Sequence, residues 1–285
     1  MQKIGYYRKS GELFLQNLSL KKLVDRYETP TFVYDSNLIK NSFYMLKKIM
    51  DPLNGKIHFA VKSNDNLGVI KYINSLGAGA DVVSIGELKR CLKVSVKPKD
   101  IIFSGVGKQK DEIEFAINKN IKQLNAESIE ELKDIIEISK NIKKKVNVAL
   151  RVNLDINAKT HKKISTGDEK SKFGIIYDDI VHAYKLINDA SFINPYGLAI
   201  HVGSQLFDYD VFFQTFSKIK NLAVELKNLG YEVNHLDLGG GFGVDYTMKN
   251  SLNYKSFSKA LNEIFKNKEF QLSVEPGRSL IAESG

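Results

Sequence analysis

Eight short apolar runs alternate with longer segments of helical periodicity, and this alternation limits the folds that the chain can adopt. The runs are 57–61, 80–83, 101–104, 122–125, 146–152, 196–201, 233–238 and 270–274. Between them, apolar residues recur every three or four positions, as at Ile129, Leu132, Ile135 and Ile136, which is typical of amphipathic helices. Because each predicted strand is followed by a helix, the pattern favours right-handed crossovers and a parallel sheet.

Eight such units fit a closed (β/α)8 barrel of the α/β class, the TIM-barrel fold, better than an open sheet. A doubly wound open sheet is the alternative, because it produces the same alternation, usually with fewer strands. The beginning of the chain is different, since 12–16 predicts a strand, 19–27 a short helix and 31–34 another strand. We therefore expect a barrel domain over 31–285, with residues 1–30 belonging to an incomplete second β-domain.

Composition narrows the range of partners. The 285 residues are enough for a large core, and the single cysteine leaves no internal disulfide. The sequence has neither an apolar run of about 20 residues nor the apolar stretch of a signal peptide, so we expect a cytoplasmic protein without a membrane partner. The net charge of +9 comes from lysines scattered over helical faces, which favours an anionic substrate over a nucleic-acid partner.

Polar residues stand at the ends of the predicted strands, where barrels of this kind have their active sites. They are Lys62, Asp81, Ser84, Arg151, His201, Glu275 and Arg278, with a glycine-rich loop at 239–243. Lys62 follows a buried strand, so its neutral amine at the barrel mouth could attack an aldehyde. Taken alone, an exposed lysine at a strand end is the simpler interpretation, and the hypothesis depends on the neighbouring residues.

Glycines follow the last two predicted strands, as Gly239, Gly240 and Gly241 and as Gly277 beside Arg278. Glycines let backbone N–H groups approach an anion closely, and these two loops are the usual phosphate site of such barrels. A plain turn would explain either cluster alone. Their common placement favours a phosphate.

Two further strand-end residues fit an aromatic cofactor. Glu275 could pair with a pyridine nitrogen and keep it protonated, which makes the ring a strong electron sink, although an ion pair with Arg278 is the alternative. His201 could stack on such a ring, although a lone histidine is more often structural. The five histidines show no ligand spacing and Cys91 is solitary, so no metal site is predicted.

A series of ordered motifs resembles one known family. The motifs are 59–64, 77–88, 103–108, 149–153, 164–167 with 172–174, 201–205, 237–241 and 275–278. From about Gly11 to the end, the sequence resembles the diaminopimelate decarboxylases, which belong to the alanine-racemase-like class of pyridoxal-phosphate enzymes. The resemblance implies a homodimer that decarboxylates meso-2,6-diaminoheptanedioate, an amino-acid substrate, to L-lysine.

The resemblance also implies roles for individual residues. Lys62 would bind pyridoxal 5′-phosphate as a Schiff base, and His201 would stack against its ring, which makes these two the catalytic residues. The other implied cofactor-binding residues are Asp81, Ser204, Gly239, Gly240, Gly241, Glu275, Gly277 and Arg278. Arg278 and Arg151 are the expected substrate-binding residues.

The sequence departs from the family at its end. Members continue into a C-terminal β-domain that supplies a substrate arginine, a cysteine proton donor, a glutamate and a tyrosine, whereas this sequence stops at Gly285. We therefore expect cofactor binding with weak or absent turnover, and an unpaired strand edge at 12–16. Two alternatives stay open: a decarboxylase of ornithine, arginine or carboxynorspermidine, and a non-catalytic pyridoxal-phosphate-binding protein.

Overall fold

The chain begins with a small antiparallel sheet that lies outside the barrel. The computed structural model describes residues 5–154, 156, 173–247 and 254–285. The sheet contains β1 (Tyr6–Lys9), β2 (Glu12–Leu15) and β3 (Leu18–Ser19). Because β2 is the middle strand and pairs with both neighbours, the expectation of an unpaired edge at 12–16 is wrong.

Helix α1 (Leu20–Tyr27) follows directly and confirms the predicted helix, with Ser19 as its N-cap. The predicted strand at 31–34 is wrong, because these residues form no strand before α2 (Ser36–Met50) begins. Their β-branched and aromatic side chains have a high strand propensity, but propensity counts only where a neighbouring strand is available for pairing. Phe32 is 87% exposed.

All eight predicted barrel strands are confirmed. The strands are β4 (Lys56–Ala60), β5 (Gly79–Val82), β6 (Ile101–Phe103), β7 (Gln123–Ala126), β8 (Val146–Asn153), β10 (Ile193–Ala199), β11 (His235–Asp237) and β12 (Gln271–Val274), and the two-residue β9 (Ile175–Ile176) pairs with the end of β8. Neighbours pair in parallel, and β10 pairs with both β11 and β8. This last pairing closes the barrel and rules out the open doubly wound sheet.

Helices cover the outside of the barrel. They are α3 (Leu67–Ser75), α4 (Ile85–Lys93), α5 (Lys110–Asn118), α6 (Ile129–Ile142), α7 (Ile180–Asn188), α8 (Tyr209–Asn228), α9 (Lys255–Phe265) and the short α10 (Arg278–Ile281). In α6, the Ser128 side chain accepts a hydrogen bond from the Glu131 N–H at 3.1 Å, which caps the helix. Leu132, Ile135 and Ile138 are buried, so the apolar face packs inward. Across the described ranges, no helix combines the length and the hydropathy needed to cross a membrane.

Polar side chains lie inside the barrel as well as at its mouth. Asp81, Gln123, Asn125, Asp237 and Ser273 are all at most 2% exposed. Alternate residues of a barrel strand point inward, so β5, β7, β11 and β12 carry these groups into the interior. The interior therefore has a polar middle, with apolar contacts mainly between strands and helices.

The buried His235 predicts how stability depends on pH. Burial, and then the positive charge of Lys122, lower the pKa of His235 from its ordinary 6.5 to about 3. Below the ordinary value the unfolded chain binds a proton that the folded chain does not, so acidification favours unfolding. Between pH 7 and pH 5, His235 is expected to remove about 2 kcal/mol from the free energy of unfolding.

Urea denaturation at both pH values measures this effect. The variant His235→Gln should lose less stability than wild type on acidification, whereas His182→Gln, which replaces an exposed histidine, should behave as wild type. An equal loss in His235→Gln and wild type would contradict the assignment.

Candidate active site

A cavity of about 440 Å³ opens at the carboxyl ends of the barrel strands. It is lined by Lys62, Val83, Ser104, Gly105, Val106, Gly107, Asn125, Arg151, Phe173, Ala199, Ile200, His201 and Glu275. Four of the predicted site residues, Lys62, Arg151, His201 and Glu275, thus face one space, although more than 200 positions separate the first from the last. The cavity lies where barrels of this class bind their substrates.

Lys62 lies in a short 3-10 turn, Val61–Ser63, that follows β4 directly. Val61 is fully buried, whereas the Lys62 side chain is 47% exposed and extends into the cavity. Its Nζ is 3.8 Å from Oδ2 of Asp81, which is itself completely buried on β5. The amine is therefore accessible to a ligand and is oriented by a carboxylate at the base of the cavity.

Three buried carboxyl groups, Asp81, Asp237 and Glu275, lie together beneath the cavity. Burial is the main cause that raises the pKa of each, and in Glu275 the neighbouring charges of Asp237 and Asp81 raise it further, well above the ordinary value. Oε1 of Glu275 is buried and has no hydrogen-bond partner among the described residues. The raised pKa values favour a proton held within the cluster, and several buried oxygens, Oε1 of Glu275 among them, could be satisfied by a ligand.

The loop after β11 packs so tightly that its glycines are required. Gly239 and Gly241 have φ of +67° and +84°, which side chains disfavour. A Cβ on Gly240 would lie 2.1 Å from the carbonyl oxygen of Glu275, and one on Gly241 would lie 2.0 Å from that of Gly203. The loop is thereby held against both the strand end that carries Glu275 and the segment that follows His201.

His201 follows β10 and borders the cavity. Burial, and then the charges of Lys62 and Arg151, lower its pKa well below the ordinary value, so the ring is neutral near pH 7. Its Nδ1 accepts a hydrogen bond from the Gly240 N–H at 3.4 Å. Since a neutral ring has one protonated nitrogen, the proton belongs on Nε2.

Glu127 is a residue of the site that our sequence analysis missed. It follows β7, is 2% exposed, and binds Nη1 of Arg151 through both carboxylate oxygens, at 3.0 and 2.9 Å. Its Oε1 also accepts the Gly105 N–H at 2.7 Å. The pair fixes the loop beside the cavity and offsets the charge of Arg151. Its position directly after the fourth barrel strand is the same signal that identified Lys62 and His201.

Arg278 lies outside this cavity, in an adjoining groove of about 790 Å³ that also contains Ser63 and Asn64. Its Nη1 donates a hydrogen bond to the Tyr246 hydroxyl at 3.1 Å. Gly277 packs closely against the segment that carries Lys62, because a Cβ at position 277 would lie 3.0 Å from that of Ser63.

Besides Arg278, six residues of the predicted site are not among the lining residues of the cavity: Asp81, Ser204, Gly239, Gly240, Gly241 and Gly277. The three glycines of the 239–241 loop approach the backbone of Ile200, Glu275 and Gly203 instead. The segments 164–167 and 172 fall outside the described residues. Phe173 at the edge of that segment lines the cavity, with its ring centroid 5.0 Å from the Arg151 guanidinium carbon.

These groups fit pyridoxal 5′-phosphate. Lys62 supplies an amine for the aldehyde, and the unpartnered Oε1 of Glu275 supplies a buried acceptor for the ring nitrogen. The loop at Gly239–Gly241 leaves no room for side chains, which suits backbone contact with a phosphate. Fold and site together define a pyridoxal-phosphate-binding (β/α)8 barrel.

Comparison with known proteins gives the family. A family model described as "Pyridoxal-dependent decarboxylase, pyridoxal binding domain" matches residues 36–282. The chain belongs to this family of pyridoxal-phosphate-dependent decarboxylases. The match includes every strand of the barrel and every residue proposed here for the site.

Several relatives are diaminopimelate decarboxylases. The diaminopimelate decarboxylase of Helicobacter pylori strain J99 is 37% identical over 265 residues, which are 93% of this chain and 65% of the relative. That of Neisseria meningitidis serogroup B is 37% identical over 273 residues, 96% of this chain and 66% of the relative. The crystal structure of the M. jannaschii diaminopimelate decarboxylase in co-complex with L-lysine superposes with a TM-score of 0.90 at 34% identity, covering 98% of this chain and 67% of that one. The chain thus spans about two thirds of the length of these relatives.

Proposed function

We propose that the protein containing this chain decarboxylates meso-2,6-diaminoheptanedioate to L-lysine, with pyridoxal 5′-phosphate as cofactor. The observation that carries the proposal is the convergence of Lys62, His201 and Glu275 on one cavity in a chain that is 37% identical to diaminopimelate decarboxylases. The alternative substrates ornithine, arginine and carboxynorspermidine would use the same cofactor site.

Each of the three residues has a distinct part in the reaction. Pyridoxal phosphate, when bound, supplies an electron sink for the electron pair that carbon dioxide leaves behind. Lys62 would hold the cofactor aldehyde through Nζ and release it to the substrate amine, with Asp81 orienting the lysine from 3.8 Å. Oε1 of Glu275 would accept the ring N–H and so favour the protonated ring nitrogen, and the neutral ring of His201 would cover one face.

The substrate carboxylate needs a cation near Lys62, and the two predicted arginines differ in their surroundings. Arg151 is bound by both oxygens of Glu127, which offsets its charge. Arg278 contacts only a tyrosine hydroxyl through Nη1 among the described residues, in the groove beside Lys62. We therefore infer that Arg278 is the main carboxylate contact and that Arg151 contributes by positioning the Gly105 loop.

A substrate panel tests the proposal. The cofactor-loaded chain, alone and mixed with the C-terminal part of the H. pylori relative, is assayed for carbon dioxide release from diaminopimelate, ornithine, arginine and carboxynorspermidine. We expect release from diaminopimelate first, and more strongly in the mixture. Release from another substrate instead would support a sibling decarboxylase, and cofactor binding without any release in either sample would support the non-catalytic alternative.

We further infer a cytoplasmic homodimer. The single cysteine suits a reducing compartment, and the proposed amino-acid substrate is a small metabolite. Sedimentation equilibrium of the cofactor-loaded protein should give twice the mass of the chain, and a monomer at all concentrations would contradict the dimer.

A further inference from the structure

The amino-terminal end of the barrel contains a second cavity, which shares no lining residue with the first. This N-terminal cavity has a volume of about 490 Å³, and its lining includes Lys56, His58, Lys97, Lys99, Asp100 and Lys122. Lys56, Gly79 and Gln271 are the first residues of β4, β5 and β12. The cavity therefore opens on the face opposite Lys62, and its volume suits a small molecule.

The lining carries an excess of positive charge. Four lysines, Lys56, Lys97, Lys99 and Lys122, face a single carboxylate, that of Asp100. Among the residues that the structure describes, none of the four lysines forms an ion pair. Clefts lined by one sign of charge concentrate the field and attract counter-ions. The lining therefore carries more positive than negative charge, and burial lowers the pKa of Lys122, the innermost of the four lysines.

Lys122 is fixed at the inner end of this cavity by a neutral group. Its Nζ lies 3.3 Å from Nε2 of His58, which is 3% exposed. Burial, and then the charge of Lys122, lower the pKa of His58 well below the ordinary value, so the ring stays neutral and accepts from the ammonium. The main chain of Lys122 is also held, because its backbone N–H donates to the carbonyl oxygens of Pro98 and Ile101, both at 3.0 Å. The cation is therefore held in place, but its charge is not neutralised by this partner.

Neutral donors and acceptors complete the lining. Asn74, Ser95 and Gln271 offer amide or hydroxyl groups, and Tyr196 contributes a hydroxyl whose pKa is raised by burial, so that it stays a donor. Lysine ammonium groups bind phosphate as point charges, and no arginine lines the cavity. The set suits an anion with several charges spread over a compact volume.

We propose that the N-terminal cavity binds a small multivalent anion, of the phosphate-ester or polycarboxylate kind, with Lys122 as the inner anchor and Lys97 and Lys99 at the entrance. The site is separate from the proposed reaction and does not depend on it. The cofactor phosphate belongs at the opposite face, so loading the protein with pyridoxal phosphate leaves this site open.

Isothermal titration calorimetry of the cofactor-loaded protein tests the proposal. Pyrophosphate and citrate are the probes, and sodium chloride is used to match the ionic strength. Lys122→Met, which keeps the aliphatic stem and removes the charge, should weaken binding by about 10-fold or more. The double variant Lys97→Gln, Lys99→Gln should also weaken it, by roughly 3- to 10-fold. The matched control Lys40→Gln, Lys48→Gln, which removes two exposed lysines of α2, should change it less than about 2-fold.

Each outcome of the titration either supports or overturns the proposed anion site. Binding of both probes supports a site for multivalent anions in general, and binding of one alone assigns phosphate or carboxylate chemistry. Absence of binding in wild type overturns the proposal, as does binding that the variants at Lys97, Lys99 and Lys122 leave unchanged. If Lys122→Met fails to fold, the double variant decides alone, because Lys97 and Lys99 are exposed.

Discussion

Replacing Lys62 with alanine is expected to abolish covalent retention of pyridoxal phosphate and to lower any decarboxylation rate by about 1,000-fold or more. Lys62 is the amine that lines the cavity beside both Glu275 and His201, and nearby Lys108 is engaged by Glu131 at 2.6 Å with a fully buried side chain. No other described lysine lines that cavity. The covalent link should therefore form at position 62 alone.

The measurement is borohydride reduction, which fixes the cofactor to the amine that holds it, followed by peptide mass spectrometry. In wild type the added mass should lie on the peptide that contains Lys62, and the visible absorbance of the bound cofactor should be lost in Lys62→Ala. Lys47→Ala, on the exposed face of α2, serves as the control and should label as wild type. Label on another lysine in wild type, or retained label in Lys62→Ala, would disprove the assignment.

Glu275→Gln is expected to preserve cofactor binding and to slow decarboxylation by about 100-fold. The amide has nearly the shape of the carboxyl group, so packing beside Gly240 is kept, but an amide cannot keep the ring nitrogen protonated. We propose this role because Oε1 of Glu275 is buried without a hydrogen-bond partner among the described residues and the pKa of its carboxyl group is raised.

The assay compares carbon dioxide release and cofactor affinity in wild type, Glu275→Gln and the surface control Glu269→Gln. A fall in turnover with a nearly unchanged cofactor Kd supports the role in ring protonation. If the variant instead loses the cofactor altogether while remaining folded, Glu275 acts in binding, and the electronic role is wrong. Glu269 pairs with Lys227 on the surface, so its replacement should change neither quantity.

The barrel could be predicted because each strand is a short buried run whose boundaries depend on local sequence. The predicted strand at 270–274, for example, differs from β12 by one residue. The N-terminal sheet could not be predicted equally well, since β1 is Tyr-Tyr-Arg-Lys and shows no apolar alternation, and β3 has two residues. At 31–34 the local propensity was high, but strand formation requires a partner that the sequence does not reveal.

Site residues could be predicted where their position at a strand end identifies them. They were harder to predict where their role depends on contacts with other side chains. Strand ends gave Lys62, His201 and Glu275, all of which line the cavity. Glu127 also follows a strand directly, but position could not show that it binds Arg151 with both oxygens. Contacts of this kind form because closure of the barrel brings together strand ends that are far apart in the sequence.

The buried acidic cluster has a consequence for how much of the protein a cell contains. Asp81, Asp237 and Glu275 are enclosed, and burial raises their pKa values. Ionisation of these buried groups therefore carries an unfavourable desolvation energy. A ligand that satisfies these groups binds only the folded state and shifts the folding equilibrium by mass action. Chains made without the cofactor would then unfold more often and be degraded sooner.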